Sequence, residues 1–72
     1  MDIPPGLDAQ RRLGPAWASW LDRLPRRCAE LLADWDLRRD GAPEHGFASL
    51  VLPVRRDDGS AAILKVAFDG DD

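Results

Sequence analysis

Apolar residues between positions 15 and 35 recur at spacings of three, one, three, four, three, one and three, which is the period of an α-helix. This stripe consists of Trp17, Trp20, Leu21, Leu24, Cys28, Leu31, Leu32 and Trp35. Pro15 suits the first helical position, whereas Pro25 lacks an amide hydrogen. The pattern therefore predicts a kinked helix or two consecutive helices, roughly 16–23 and 25–34, with the stripe, including its three tryptophans and its cysteine, in the core.

After Trp35 the pattern changes to an extended one. It predicts a short strand at 36–40, a loop at 41–46 and two longer strands at 47–56 and 61–68. The segment Asp57-Asp58-Gly59-Ser60 separates the two long strands, and Asp-Gly is a strong hairpin signal. If Asp58 and Gly59 are the two central residues of a type I′ turn, Leu52 lies opposite Lys65.

Side-chain alternation then assigns the two faces of the sheet. One face would carry Ala48, Leu50, Leu52, Val54, Ile63, Lys65 and Ala67, and the other Phe47, Val51, Pro53, Leu64, Val66 and Phe68. The N-terminal helices can cover only one of these apolar faces. The predicted fold class is α+β: N-terminal helices on a small antiparallel sheet in residues 15–72, after a loosely packed lead-in segment, residues 1–14, with a short helical turn between Leu7 and Leu13.

Length and composition narrow the classes of protein. A chain of 72 residues forms at most one small, marginally stable domain. A net charge of −3 with no basic face argues against nucleic-acid binding. One cysteine and one histidine provide neither an internal disulfide nor a zinc site, so a reducing cytoplasm fits best. No signal peptide or apolar span is evident, which argues against export and membrane insertion.

Lys65 is the only lysine, against nine arginines, and it interrupts an apolar strand. An ammonium buried there without a partner would cost several kcal/mol, so the strand is expected to offer it to an anion such as a nucleotide phosphate. The alternative is an edge-strand lysine that prevents sheet aggregation.

The order of a glycine-bearing loop, a hairpin and a third-strand lysine is similar to the small lobe of protein-kinase-like enzymes. In the predicted register Ala48 and Ile63 share the face of Lys65, where they could line an adenine pocket. Gly46, two residues before Ala48, is the loop glycine and a further candidate for nucleotide binding. The wider string resembles the N-terminal part of the streptomycin 6-kinase family, a branch of the aminoglycoside phosphotransferases and hydroxyurea-resistance kinases. The matching residues span roughly 15–68 and include Trp20-Leu21, Leu24-Pro25, Trp35-Asp36-Leu37, Asp40-Gly41, Gly46, Leu50-Val51-Leu52-Pro53-Val54-Arg55, Asp58-Gly59 and Leu64-Lys65-Val66.

The resemblance implies MgATP-dependent phosphoryl transfer to a hydroxyl of an aminoglycoside such as streptomycin, with Lys65 as the phosphate-binding lysine. The chain has no Gly-x-Gly-x-x-Gly or Walker loop, no catalytic His-x-Asp motif and no metal-binding Asp motif. Catalytic residues, magnesium ligands and the acceptor site are therefore expected outside these residues, and the 72 residues alone are expected to be inactive.

Other interpretations concern the whole chain and two of its segments. The chain could instead be a non-catalytic remnant or a small protein-interaction module. His45 is expected to be a solvated loop residue. The segment Asp69-Gly70-Asp71-Asp72 lacks the closing glutamate of a calcium loop and is interpreted as a solvated end.

Overall fold

The computed structural model describes residues 3–69, so Gly70, Asp71 and Asp72 of the acidic end lie outside the described residues. A short α-helix, α1 (Pro5–Asp8), leads into a 3₁₀-helix (Ala9–Leu13) and then into the long helix α2 (Pro15–Asp34). Four strands follow: β1 (Arg38–Arg39), β2 (Glu44–His45), β3 (Ser49–Arg55) and β4 (Ala61–Ala67). The predicted α+β class, with helices on a small antiparallel sheet, is confirmed.

Helix α2 is continuous through Pro25, so the alternative of two consecutive helices is wrong. Leu21, Leu24 and Cys28, which flank the proline on the apolar stripe, are fully buried. Tertiary packing therefore offsets the loss of the helical hydrogen bond that Pro25 cannot donate. The helix ends in a Schellman motif: Asp36 adopts a positive φ of 52°, and the Leu37 amide donates to the Leu32 carbonyl at 2.8 Å.

Strand β3 is the centre of the sheet. It pairs with β4 along one side and with both β1 and β2, all antiparallel, along the other. The two short strands form one interrupted row, broken at residues 41–43. The break lies beside Pro53, which accepts a hydrogen bond from the Asp40 amide but has no N–H to return.

The hairpin between β3 and β4 differs from the predicted one. The Gly59 amide donates to the Arg56 carbonyl, the Arg56 amide donates to the Ser60 carbonyl, and only Gly59 in this loop has a positive φ, 86°. This is a three-residue loop with a bulge rather than a two-residue type I′ turn. Val51 therefore faces Lys65, and the predicted pairing of Leu52 with Lys65 is wrong by one residue.

The core lies between α2 and one face of the sheet, called here the helix face, which carries Leu50, Leu52, Val54, Leu64 and Val66. Leu50 joins a buried cluster with five residues of the helices: Leu7, Trp20, Leu21, Leu24 and Cys28. The prediction that Trp20 and Cys28 are core residues is thus confirmed. The same prediction for Trp35 is wrong, because Trp35 lies past the end of α2 and is 69% exposed.

The N-terminal segment, of which residues 3–14 are described, is not loosely packed. Leu7 is fully buried, and Arg11 contacts carboxylate oxygens of Asp8 at 2.8 Å and of Asp22, on α2, at 2.7 Å. The hydrogen bonds that the Arg11 guanidinium donates to these two carboxylates raise its pKa. Pattern analysis missed this packing because one buried leucine in a proline- and glycine-rich segment produces no periodicity.

We expect Leu7→Ala to lower the free energy of unfolding by about 2–5 kcal/mol, because it leaves a cavity in the core. That loss is comparable to the whole stability of about 3–5 kcal/mol expected for a domain of this size. Circular dichroism without denaturant should therefore detect an unfolded population. Leu13→Ala, at a residue 40% exposed, is the matched control and should cost less than about 1 kcal/mol. Equal losses would contradict the packing of the N-terminal segment.

Burial raises the pKa of the Cys28 thiol above its ordinary value of 9.0. The folded state therefore holds this proton more tightly than the unfolded chain does. The resulting contribution to the free energy of unfolding is present below pH 9 and is lost as the pH rises further. We expect urea unfolding to show a steeper fall in stability above pH 9 for the unsubstituted chain than for Cys28→Ala. Parallel pH profiles would contradict this assignment.

Candidate functional site

Lys65 lies at the middle of β4 on the face of the sheet that the helices leave uncovered. This open face carries Val51, Pro53, Ile63, Lys65 and Ala67. Lys65 pairs with Val51, which pairs in turn with Glu44, so these three residues form one row across the sheet. The Lys65 side chain is exposed and forms no ion pair within residues 3–69. It is therefore accessible to an anionic ligand.

The residues around Lys65 on the open face are mainly apolar. Ile63 is 62% exposed, and Val51 and Pro53 are half-buried. Ile63 shares the face of Lys65, as predicted. Ala48 does not, because the one-residue difference in register moves it to the helix face, opposite Phe68. The side chain of Ala48 therefore does not line the same surface as Lys65.

A tight connection between β2 and β3 forms what we call the hairpin tip, residues 46–48. The predicted loop at 41–46 ends earlier than expected, since Glu44 and His45 form β2. The Gly46 amide donates to the Ser49 carbonyl at 3.0 Å, which leaves Phe47 and Ala48 as the connecting residues. A Cβ on Gly46 would lie 3.3 Å from the Ser49 hydroxyl oxygen, so a glycine suits this close approach.

The backbone carbonyls of the hairpin tip have partners, whereas two of its amides do not. Gln10 donates to the Phe47 carbonyl at 3.1 Å, and the Phe68 amide donates to the Ala48 carbonyl at 2.8 Å. No acceptor for the amides of Phe47 and Ala48 is found within the described part of the chain. Free backbone N–H groups on a turn are a common means of binding anions.

An aromatic cluster holds the hairpin tip against α2. The Trp17 ring stacks on Phe68 at a centroid distance of 3.9 Å and meets the Phe47 ring edge-on at 5.8 Å. Trp20 contacts Phe68 edge-on at 5.6 Å. Trp17 and Trp20 therefore pack within the protein, as their spacing predicted.

His45 lies away from the open face. Its partner in β3 is Leu50, a helix-face residue, and a Cβ built on Gly6 would lie only 2.6 Å from its Nε2. The His45 ring therefore packs beside helix α1, with Nδ1 3.0 Å from the Gly46 carbonyl oxygen. The histidine is exposed, as predicted, but it belongs to a strand rather than to a loop.

A cavity of about 270 Å³ lies on the other side of the molecule, between α2 and the end of β4. Trp20, Leu24 and Val66 form its apolar walls. Arg23 and Asp69, both part of its lining, form an ion pair across 3.5 Å. The sheet separates this cavity from Lys65, so it is not part of the candidate site.

Between Ile3 and Asp69 no three His, Cys, Asp or Glu side chains are placed to hold a metal ion. No helix in the same range is long and apolar enough to cross a membrane.

Sequence comparisons show that the chain is similar to phosphotransferases. Two of its relatives are streptomycin 6-kinases: it is 46% identical to that of Streptomyces glaucescens over 68 residues, 92% of the chain, and 41% identical to that of Streptomyces griseus over 66 residues, 89% of the chain. It is also 44% identical over 68 residues, 92% of the chain, to the hydroxyurea phosphotransferase of Kitasatospora aureofaciens. These matches confirm the resemblance to the streptomycin 6-kinase family.

The aligned region is 22% of the length of both streptomycin 6-kinases and 20% of the length of the hydroxyurea phosphotransferase, so the chain spans about a fifth of these relatives. No family model matches the chain, and no solved structure matches it.

The register that places Lys65 on the open face can be measured directly. We expect strong Hα–Hα nuclear Overhauser effects for the pairs Val51–Lys65 and Pro53–Ile63. A contact between Leu52 and Lys65 would instead support the two-residue turn. Gly59→Ala should destabilise the protein by about 1–2 kcal/mol, since alanine is strained at a φ of 86°. Asp57→Ala, in the same turn, should change stability by less than about 0.5 kcal/mol.

Proposed function

We propose that the chain is the nucleotide-binding portion of an ATP-dependent phosphotransferase that phosphorylates a hydroxyl of an aminoglycoside such as streptomycin. The observation that carries the proposal is the position of Lys65. It is exposed on the open face of a strand that follows a hairpin with two free amides at its tip. The similarity to two streptomycin 6-kinases supports the type of acceptor.

The site would contact two parts of ATP, the phosphates and the adenine ring. The Lys65 ammonium would neutralise charge on the phosphate oxygens, and the amides of Phe47 and Ala48 would donate hydrogen bonds to them. Ile63 would provide apolar contact for the adenine ring. Gly46 would allow a phosphate to approach the backbone closely. Ala48 would thus act through its backbone rather than through the side-chain contact predicted from the sequence.

Magnesium bound with ATP would neutralise phosphate charge during the transfer. We assign no magnesium ligand and no catalytic residue to residues 3–69, because no metal-binding cluster is found among them. The acceptor site and the residues that activate the acceptor hydroxyl would belong to the part of such a kinase that this chain does not span. On this proposal the protein acts in the cytoplasm, where ATP is available.

A second candidate function is a non-catalytic protein-interaction module. The specific observation in its favour is the open face, on which Ile63 is 62% exposed beside half-buried Val51 and Pro53. Exposed apolar surface of this kind can bind a protein as well as an adenine ring. The two candidates differ in whether binding depends on the charge of Lys65.

The test uses a chimera in which this chain replaces the aligned 68 residues of the Streptomyces glaucescens enzyme. We expect Lys65→Met to weaken MgATP binding about 10- to 100-fold in titration calorimetry, because a hydrogen-bonded charge is lost. Phosphoryl transfer to streptomycin should fall by at least as much. Methionine keeps the length of the side chain, so the fold should be retained.

Arg38→Met is the matched control. It removes one positive charge from the same face of the sheet, about 13 Å along the strand direction and two strands across, or about 16 Å away, and should leave MgATP affinity within about twofold. A similar loss in both variants would indicate general electrostatics rather than a phosphate contact. A chimera that folds but does not bind MgATP would exclude the kinase proposal and favour the interaction module.

A further inference from the structure

We infer that the N-terminal segment, residues 5–13, is a positioning element for the nucleotide site, and that Gln10 acts by setting the orientation of the Phe47–Ala48 peptide. This inference rests on the proposed function, since the site it concerns is the proposed ATP site. Gln10 itself is a positioning residue, because it would act through its contact with the hairpin tip.

The contact between Gln10 and the hairpin tip is buried and joins distant parts of the chain. Gln10 is only 7% exposed, and its Nε2 donates to the Phe47 carbonyl 37 positions along the chain at 3.1 Å. Its Oε1 accepts from the Arg12 guanidinium at 3.5 Å. Glutamine is mostly a surface residue, and a buried one needs hydrogen-bond partners. Both ends of this side chain amide have one.

The consequence for the hairpin tip follows from peptide geometry. The Phe47 carbonyl and the Ala48 N–H belong to one planar peptide unit, and no peptide bond in the described chain is cis. In a trans peptide these two groups point in opposite directions. Because Gln10 holds the carbonyl toward the N-terminal segment, the Ala48 N–H must point away from that segment. A rotated peptide would instead present a carbonyl oxygen, which repels phosphate.

The neighbouring contacts restrict the same turn further. The Phe68 amide fixes the Ala48 carbonyl at 2.8 Å, and Trp17 packs edge-on against the Phe47 ring. Of the two peptides with a free N–H at the hairpin tip, Gly46–Phe47 has its carbonyl beside the adjacent His45 ring, whereas Phe47–Ala48 has its carbonyl held by Gln10 from a distant part of the chain. Gln10 is therefore the residue whose loss should disturb the free amide with the least effect on the fold.

The first measurement uses the 72-residue chain without nucleotide. Gln10→Met keeps the length and bulk of the side chain but removes the donor. We expect the ¹⁵N and ¹H shifts of Ala48 to move and its amide to show conformational exchange in relaxation-dispersion spectra. The amides of Val54 and Ala62, at the other end of the sheet, should not change. An unchanged Ala48 amide would overturn the inference.

The second measurement uses the chimera described above. We expect Gln10→Met to raise the KM for ATP about 2- to 12-fold, the effect of one hydrogen bond, while kcat for streptomycin phosphorylation stays within twofold. Val54→Ala is the control, because it removes buried apolar volume far from the hairpin tip. It should lower stability to urea at least as much and leave the KM unchanged.

The two measurements separate failure of the inference from failure of the proposed function. An equal rise in KM for Gln10→Met and Val54→Ala would mean that Gln10 acts through stability alone, which overturns the inference. Absence of MgATP binding by the unsubstituted chimera overturns the proposed function and the nucleotide role of the hairpin tip. The Ala48 resonance would still decide whether Gln10 orients the peptide.

Discussion

The pairing of β4 with β3 is the constraint on which the rest of this structure depends. Side chains alternate between the faces of a sheet, so a shift of one residue would exchange the apolar residues of β4 with Lys65 and Ile63. The loop with Gly59 at positive φ sets the pairing that directs Leu64 and Val66 toward α2. The alternative pairing would place an ammonium against the leucines of the core, at a cost of several kcal/mol. The turn and the hydrophobic core thus favour the same register.

Helix α2 and the N-terminal segment together form one continuous layer over the helix face. Leu7 contributes to the same buried cluster as Leu21 and Leu24, and Gln10 reaches the hairpin tip from the same segment. Core packing and the candidate site are therefore coupled through residues that are close in sequence. The Trp17–Phe68 stack has a similar double role, because it joins α2 to the end of β4 and supports Phe47.

The sequence predicted the features that depend on periodicity or on strong local signals. The apolar stripe identified α2, and alternation identified β3 and β4. The isolated lysine in an apolar strand made Lys65 a candidate for anion binding, which stays a prediction. Features set by a single tertiary contact could not be predicted. Asp-Gly is compatible with two-residue and three-residue loops, and only the observed hydrogen bonds of Arg56 distinguish them. The error in register then placed Ala48 on the wrong face. Gln10 and Leu7 belong to no periodic pattern, so their burial could not be predicted. Trp35 was wrongly predicted as a core residue because it continues the helical spacing past the end of α2.

The two edges of the sheet differ because of Pro53. Its missing N–H coincides with the break between β1 and β2. The edge formed by these two strands therefore consists of two-residue pieces, which offer no continuous row of backbone N–H and C=O groups to another strand. Within residues 3–69, β4 pairs only with β3, and its seven residues form an uninterrupted outer edge. Any strand added to this sheet, whether from a longer polypeptide or from a second molecule in a concentrated sample, would therefore be directed to β4. Among the strands of residues 3–69, the one that carries Lys65 is therefore the one that offers a continuous edge to a new neighbour.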